Sequence, residues 1–339
     1  MKVITFGELM MRLTPPGYRR LLQAEAFEVA FGGAEANVAV SLCCLGAEAG
    51  FVTRLPGNDL GQAALNSLRR WGVDTRHIVR GGDRLGVYYQ ERGAAQRPAA
   101  VLYDRAGSAF AQAAAGDFDW PAILEGADWL HLSGITPALG QALGESCLAA
   151  CRAARAAGVT VSFDPNYRSK LWGIPAAADY MRRILPLVDV LITNENQAAD
   201  LLGVRVPPAE IHGDDVTDAG YLALARELLE RFGLRRVAIA ERRTFAAEDN
   251  SFCAKLYDGE RLCSSPRYRM DIVDRIGSGD AFAAGLIYAL RAGFDTQRAV
   301  SFAAAAGCLK HSVEGDYSLL SAREVLALAE GRANGRVQR

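Results

Sequence analysis

Short apolar runs alternate with stretches of helical spacing along most of the chain. Val3 to Phe6, Ala49 to Arg54, Trp129 to Leu132, Val159 to Phe163, Val188 to Ile192 and Arg236 to Ala240 read as strands. Ala36 to Leu45, Gly61 to Trp71, Gly140 to Ala157, Glu195 to Leu202 and Ala219 to Phe232 read as helices between them. This rhythm predicts an α/β fold with a mostly parallel central sheet and helices on both faces. Two stretches depart from it. Met10 to Val29 and Leu85 to Tyr103 are β-rich without helical period. They predict antiparallel strands at the edge of the body, either a small β lid over a site or a peripheral hairpin with no role. The lid strands fall within residues 10–30 and 85–105 of a main domain spanning 1–330, with a tail at 331–339. Pro207-Pro208 and that tail are the loose-looking places.

Composition narrows the classes. The chain has 339 residues, half of them hydrophobic, and a net charge of −1. That is ample for a large core and offers no basic stripe for nucleic acid and no polybasic surface for a membrane. No apolar run approaches the roughly 18 to 20 residues of a membrane helix. Seven cysteines without a Cys-x-x-Cys pair, and an N-terminus that begins as a strand, suggest buried reduced thiols in a cytoplasmic protein. The four histidines are scattered without metal-ligand spacing.

The richest candidate chemistry lies in Asp274-Arg275-Ile276-Gly277-Ser278-Gly279-Asp280-Ala281-Phe282. A Gly-rich turn opening a helix presents unpaired N–H groups and a partial positive charge, which suits phosphate. Asp280 at the junction could take a proton from a hydroxyl beside that phosphate. The same run also reads as an ordinary turn with an Asp cap. A second Gly-rich element, Phe31-Gly32-Gly33-Ala34-Glu35-Ala36-Asn37, allows a ligand to approach backbone, or is simply a tight turn. Two polar segments follow strands directly, where open α/β sheets bind ligands. In Ser162-Phe163-Asp164-Pro165-Asn166-Tyr167-Arg168 the candidates are Asp164, Asn166 and Arg168. Thr193-Asn194-Glu195-Asn196-Gln197 offers oxygens for a magnesium–phosphate network, with helix capping by Asn194 as the competing explanation. Tyr88, Tyr89, Tyr103 and Arg105 cluster on the predicted lid, where Arg suits a carboxylate and Tyr suits sugar hydroxyls. None of the four lysines follows a glycine, which excludes a Walker A loop.

Taken in order over nearly the whole chain, these motifs resemble the ribokinase-like (PfkB) carbohydrate kinases. Gly32 to Asn37 is similar to that family's sugar-contact motif, and Asp274 to Ile287 to its C-terminal signature, whose Gly-x-Gly-Asp supplies an anion hole and a base. Gly7-Glu8-Leu9-Met10, Tyr103-Asp104-Arg105, Asp164 to Arg168 with Leu171-Trp172, and Lys310 to Asp316 look most like its 2-keto-3-deoxygluconate kinase branch. The resemblance implies a ribokinase-like three-layer sandwich and ATP-dependent phosphorylation of the terminal hydroxyl of a sugar acid. A neutral ketose or pentose is the runner-up substrate, and a non-catalytic sugar-binding protein the other class. It implies sugar contacts at Gly33, Asn37, Tyr89, Tyr103, Arg105, Arg168 and Asp316. Asn166, Arg168, Asn194, Arg242 and Gly277 to Gly279 are implied around ATP, with Gly277, Ser278, Gly279 and Asp280 catalytic. Two positions depart from the family: Arg275 replaces a usual Thr or Pro, and Gln197 stands where Glu is usual, so that either Glu195 organises the Mg²⁺ waters instead or the metal site is weaker. Exposed lid edges predict a homodimer or higher assembly.

Overall fold

The computed structural model describes residues 2–212 and 215–332. Its main sheet runs, in spatial order, Leu262–Ser264, Asp249–Tyr257, Arg236–Thr244, Val190–Thr193, Thr160–Asp164, Ala127–Ser133, Lys2–Phe6, Ala49–Leu55, Ile78–Arg80, with Tyr268–Asp271 also paired to Asp249–Tyr257. From Arg236–Thr244 to Ile78–Arg80 every pair is parallel, while the pairs involving Asp249–Tyr257 are antiparallel. The parallel strands are apolar almost throughout because both faces are covered. In Lys2–Phe6, Ile4 and Phe6 enter one core and Val3 the other, as strand alternation requires. Gln141–Ala156, Ile174–Ile184 and Asp218–Phe232 cover the first face. Ala34–Cys44, Asp59–Arg69, Ser278–Arg291, Thr296–Lys310 and Ala322–Ala329 cover the second. The result is a three-layer sandwich.

The strands and helices expected above are present, with ends shifted by a few residues. Several elements were not foreseen. Ile174–Ile184 buries Ala177, Tyr180, Met181 and Ile184, an i, i+3, i+4, i+7 stripe, with Pro175 in its first turn. Thr296–Lys310 is buried nearly all round, so its sequence shows little amphipathic contrast. The expected loose place at Pro207-Pro208 contains a 3₁₀ turn at Pro208–Glu210. Of the expected tail, residues 333–339 lie outside the described residues.

A second, four-stranded sheet has the order Glu28–Gly32, Met10–Thr14, Val87–Glu91, Ala100–Asp104. It is mixed, which corrects the expectation of purely antiparallel strands. Met10–Thr14 is antiparallel to Glu28–Gly32, and Val87–Glu91 to Ala100–Asp104, but Met10–Thr14 and Val87–Glu91 are parallel. Each antiparallel pair is joined locally, whereas the chain crosses the main body between residues 32 and 87, and such a crossover returns it in the same direction.

Candidate active site

The loops after the parallel strands meet the second sheet and the Gly277 turn around one cleft of about 640 Å³. Gly33, Asn37, Tyr103, Arg105, Asn166, Arg168, Asn194, Glu195, Arg242, Gly277 to Asp280 and Asp316 all line it. Tyr89 does not. It faces the other side of the lid, its ring 5.7 Å from Phe27 at an edge-on angle, and Tyr88 takes the cleft side. The registers of the second sheet set this: Tyr88 lies opposite Arg12 and Tyr103, and Tyr89 opposite Leu13 and Leu102.

Gly277 is the N-cap of Ser278–Arg291, with φ of 82°. A Cβ there would also stand 2.1 Å from the Asp316 carbonyl oxygen, so glycine is required twice over. At Gly279 a Cβ would meet no protein atom, because the space it would fill is the cleft. The first turn of this helix therefore borders the cleft, and its amides, which have no intrahelical acceptor, are suited to an anion. Asp280 stands beside them. Burial pushes its carboxyl up to about 6, against the lowering effects of the Asn37 hydrogen bond, Arg168 and Lys310. Asn37 Nδ2 donates to Asp280 Oδ2 at 2.7 Å, joining the two Gly-rich motifs directly. Gly33 begins the Asn37 helix, and a Cβ on it would sit 1.9 Å from the Glu8 carbonyl oxygen.

Three carboxylates organise the floor. Glu35 is buried, and its Oε1 accepts from the Ser133 N–H and from Ser133 Oγ at 2.6 Å. Burial raises it to about 7. Asp164 is raised to about 7 by burial, and its Oδ1 accepts from the Asn166 N–H at 2.8 Å. This Asx turn holds Asn166 at a φ of 40°, a left-handed conformation that Asn tolerates. Arg168 Nη1 bonds only carbonyl oxygens, those of Asn166 and Tyr167. Asp316 accepts from Arg12 Nη1 at 2.9 Å and from the Tyr88 hydroxyl. Arg12 also pairs with Asp274 at 2.6 Å, and Asp274 in turn accepts from the N–H groups of Ile276 and Gly315.

Arg105 lies at the cleft wall, but Nε and Nη2 both bond Glu8 Oε2, and Ser108 Oγ donates to Glu8 Oε1 at 2.5 Å. Glu8 is 3% exposed and Arg105 8%. The open fork expected for a substrate carboxylate is thus mostly occupied, and among the described residues only Nη1 is uncommitted. Asn194 does cap Glu195–Leu202, its Oδ1 accepting from the Gln197 N–H at 2.9 Å, and it lines the cleft as well. Glu195 Oε2 is buried without a partner among the described residues, and burial raises that carboxyl. Glu8, Glu35, Arg12 and Lys310 escaped the sequence reading as site residues, although Gly7-Glu8 and Lys310 to Asp316 stood within the motifs that carried the resemblance.

Residues 1–323 match the pfkB family carbohydrate kinase model. The chain belongs to the PfkB carbohydrate kinases. A 2-dehydro-3-deoxygalactonokinase of Haloferax volcanii is 36% identical, over 97% of either chain. A 2-dehydro-3-deoxygluconokinase of Bacillus subtilis is 29% identical over 96% of this chain and 94% of its own. The crystal structure of a 2-dehydro-3-deoxygluconokinase from Thermotoga maritima superposes with a TM-score of 0.93 at 45% identity, covering 98% of this chain and 100% of that one. This PfkB kinase has, among its described residues, no helix long and apolar enough to cross a membrane and no cluster of three or more His, Cys, Asp or Glu side chains that could hold a metal.

Proposed function

We propose that this kinase transfers the γ-phosphoryl group of ATP to the terminal hydroxyl of 2-keto-3-deoxygluconate (2-dehydro-3-deoxygluconate), giving the 6-phosphate. The observation that carries the reading is Asp280, a carboxylate tuned near neutrality beside an amide cradle, in a chain 45% identical to a structure of that name. Asp280 takes the hydroxyl proton as the oxygen attacks the γ-phosphorus and ADP leaves. Such a base contributes about 10²- to 10⁴-fold. The Gly277–Gly279 amides stabilise charge spreading over the transferred oxygens. Asn37 holds the carboxylate in place. The neighbouring Arg168, which has no carboxylate partner among the described residues, suits both the sugar acid and the phosphates.

The donor set fits a water-clad Mg²⁺ that arrives with the nucleotide: Glu195 with its unpartnered buried oxygen, and the side-chain oxygens of Asn194 and Gln197. Bound there, the ion would neutralise phosphate charge. A cytoplasmic place and a homodimer formed through the lid complete the proposal. The lid face away from the cleft carries Val29 and Leu102, 59% and 54% exposed, with Phe27 beside them.

The Haloferax relative favours a second reading, the galactose-derived epimer. An ADP-release assay with both epimers, fructose and ribose decides among them. We expect kcat/KM for one or both sugar acids to exceed that for the neutral sugars by at least about 10²-fold, the discrimination a lost polar partner brings. Asp280→Asn should lower turnover with either acid by about 10²- to 10⁴-fold. Near-normal turnover by that variant would remove Asp280 from the chemistry, and a preference for fructose or ribose would remove the sugar-acid reading.

A further inference from the structure

We propose that Arg242 and Arg275 form a two-guanidinium clamp for the terminal phosphates of the nucleoside triphosphate, selecting a triphosphate over a diphosphate. The inference rests on the kinase reading above and concerns Arg242, which the resemblance implies near ATP, and Arg275, which departs from the family's usual residue. Both line the cleft at the Gly-rich turn. Arg242, near the end of Arg236–Thr244, donates from Nη2 to Ser278 Oγ at 2.7 Å, at the first residue of the helix. Arg275 lies two residues before Gly277, and the buried Asn250 amide, oriented to satisfy its neighbours, accepts from Arg275 Nη2 at 2.8 Å.

Their partners are neutral. Among the described residues neither has a carboxylate within ion-pair distance, although nearby arginines do: Arg12 with Asp274 and Asp316, Arg105 with Glu8, and Arg267 with Glu241. Desolvation first, and then the Arg275 charge, pull the Arg242 guanidinium down to about 10, so the two charges are close enough to oppose each other. Like charges left together at a helix N-terminus are a cost to the fold that only an anion relieves. One carboxylate would offset a single guanidinium. A phosphate tail offsets both, and guanidinium geometry suits its oxygens. The γ-phosphate supplies the charge that ADP lacks, and it must lie at Ser278 and Gly279 for Asp280 to act.

The test is calorimetric titration with ATP, ADP and inorganic tripolyphosphate, with no sugar present, on wild type, Arg242→Gln, Arg275→Thr and Arg275→Lys. Each neutral variant should weaken ATP and tripolyphosphate about tenfold, the loss of one charge-assisted contact, and ADP less than about threefold. Arg275→Lys should recover part of the loss, and binding of the sugar acid should stay within about twofold. Equal losses for ATP and ADP, or unchanged ATP affinity, would overturn the clamp. If a neutral variant does not fold, the wild type still decides: its affinity for ATP should fall more steeply with salt than that for ADP, and parallel slopes would refute the proposal. Since no sugar enters the nucleotide titrations, a wrong sugar assignment leaves their outcome unchanged.

Discussion

Glu35 is a carboxyl placed where a carboxylate is costly. The folded protein binds its proton up to about pH 7, whereas the unfolded chain releases it near 4.5. Between those values the native state holds the extra proton, so this group's contribution to stability declines as pH rises and levels off above about 7. Glu35→Gln keeps an oxygen for Ser133 and removes the charge. We expect the variant to be more stable than wild type at pH 8, by about 1–3 kcal/mol, and equal to it below pH 4, read from thermal or urea unfolding at both values. Glu8 and Arg105 make the opposite case. Arg105→Ala strands a buried carboxylate and should cost about 3–5 kcal/mol. Adding Glu8→Ala should restore most of the stability, and kcat/KM for the sugar acid should stay low if Arg105 Nη1 touches substrate. Single-residue roles such as these were only half legible in the sequence. Asp280 and Asn37 sit in short motifs whose chemistry is local. The partner of Arg105 is 97 positions away, and the choice of Tyr88 over Tyr89 is a matter of strand register, which local sequence does not display.

At the scale of elements, Gly277 and Gly279 separate folding from the proposed nucleotide binding. Gly277→Ala forces a left-handed backbone and a 2.1 Å approach to the Asp316 carbonyl, so it should destabilise the protein by more than about 1 kcal/mol. Gly279→Ala meets no protein atom and should leave the melting temperature nearly unchanged while raising KM for ATP. Melting curves and steady-state kinetics on the two variants would reverse this assignment if the losses fell the other way round. The same scale shows what the hydrophobic pattern conveys. Many strands bounded by polar loops and helices with one wet face are legible nearly to their ends, although Ile174–Ile184, which has such a face, and the strand Asp249–Tyr257 are not among them. Thr296–Lys310 was not, because a helix buried nearly all round has no polar face to set its period. The parallel pairing within the lid was also hidden, since strand direction depends on a crossover through another layer.

Over the whole molecule, the cleft lies where the parallel strands end, roofed by the mixed sheet, and the outer face of that roof is apolar and open. Sedimentation of the wild type should give a dimer, and Leu102→Asp with Val29→Asp should give a monomer. A monomeric wild type would dismiss the lid as the interface. The roof is not held by its loops alone. Arg12 belongs to the small sheet, yet its guanidinium is buried against Asp274 and Asp316, acids from the far end of the chain that pack at the Gly277 turn. The lid is therefore no interchangeable cassette. A chimera that borrows a relative's lid without an arginine at this position leaves two interior acids without their cation, and the damage would surface at the phosphate site, far from either splice junction.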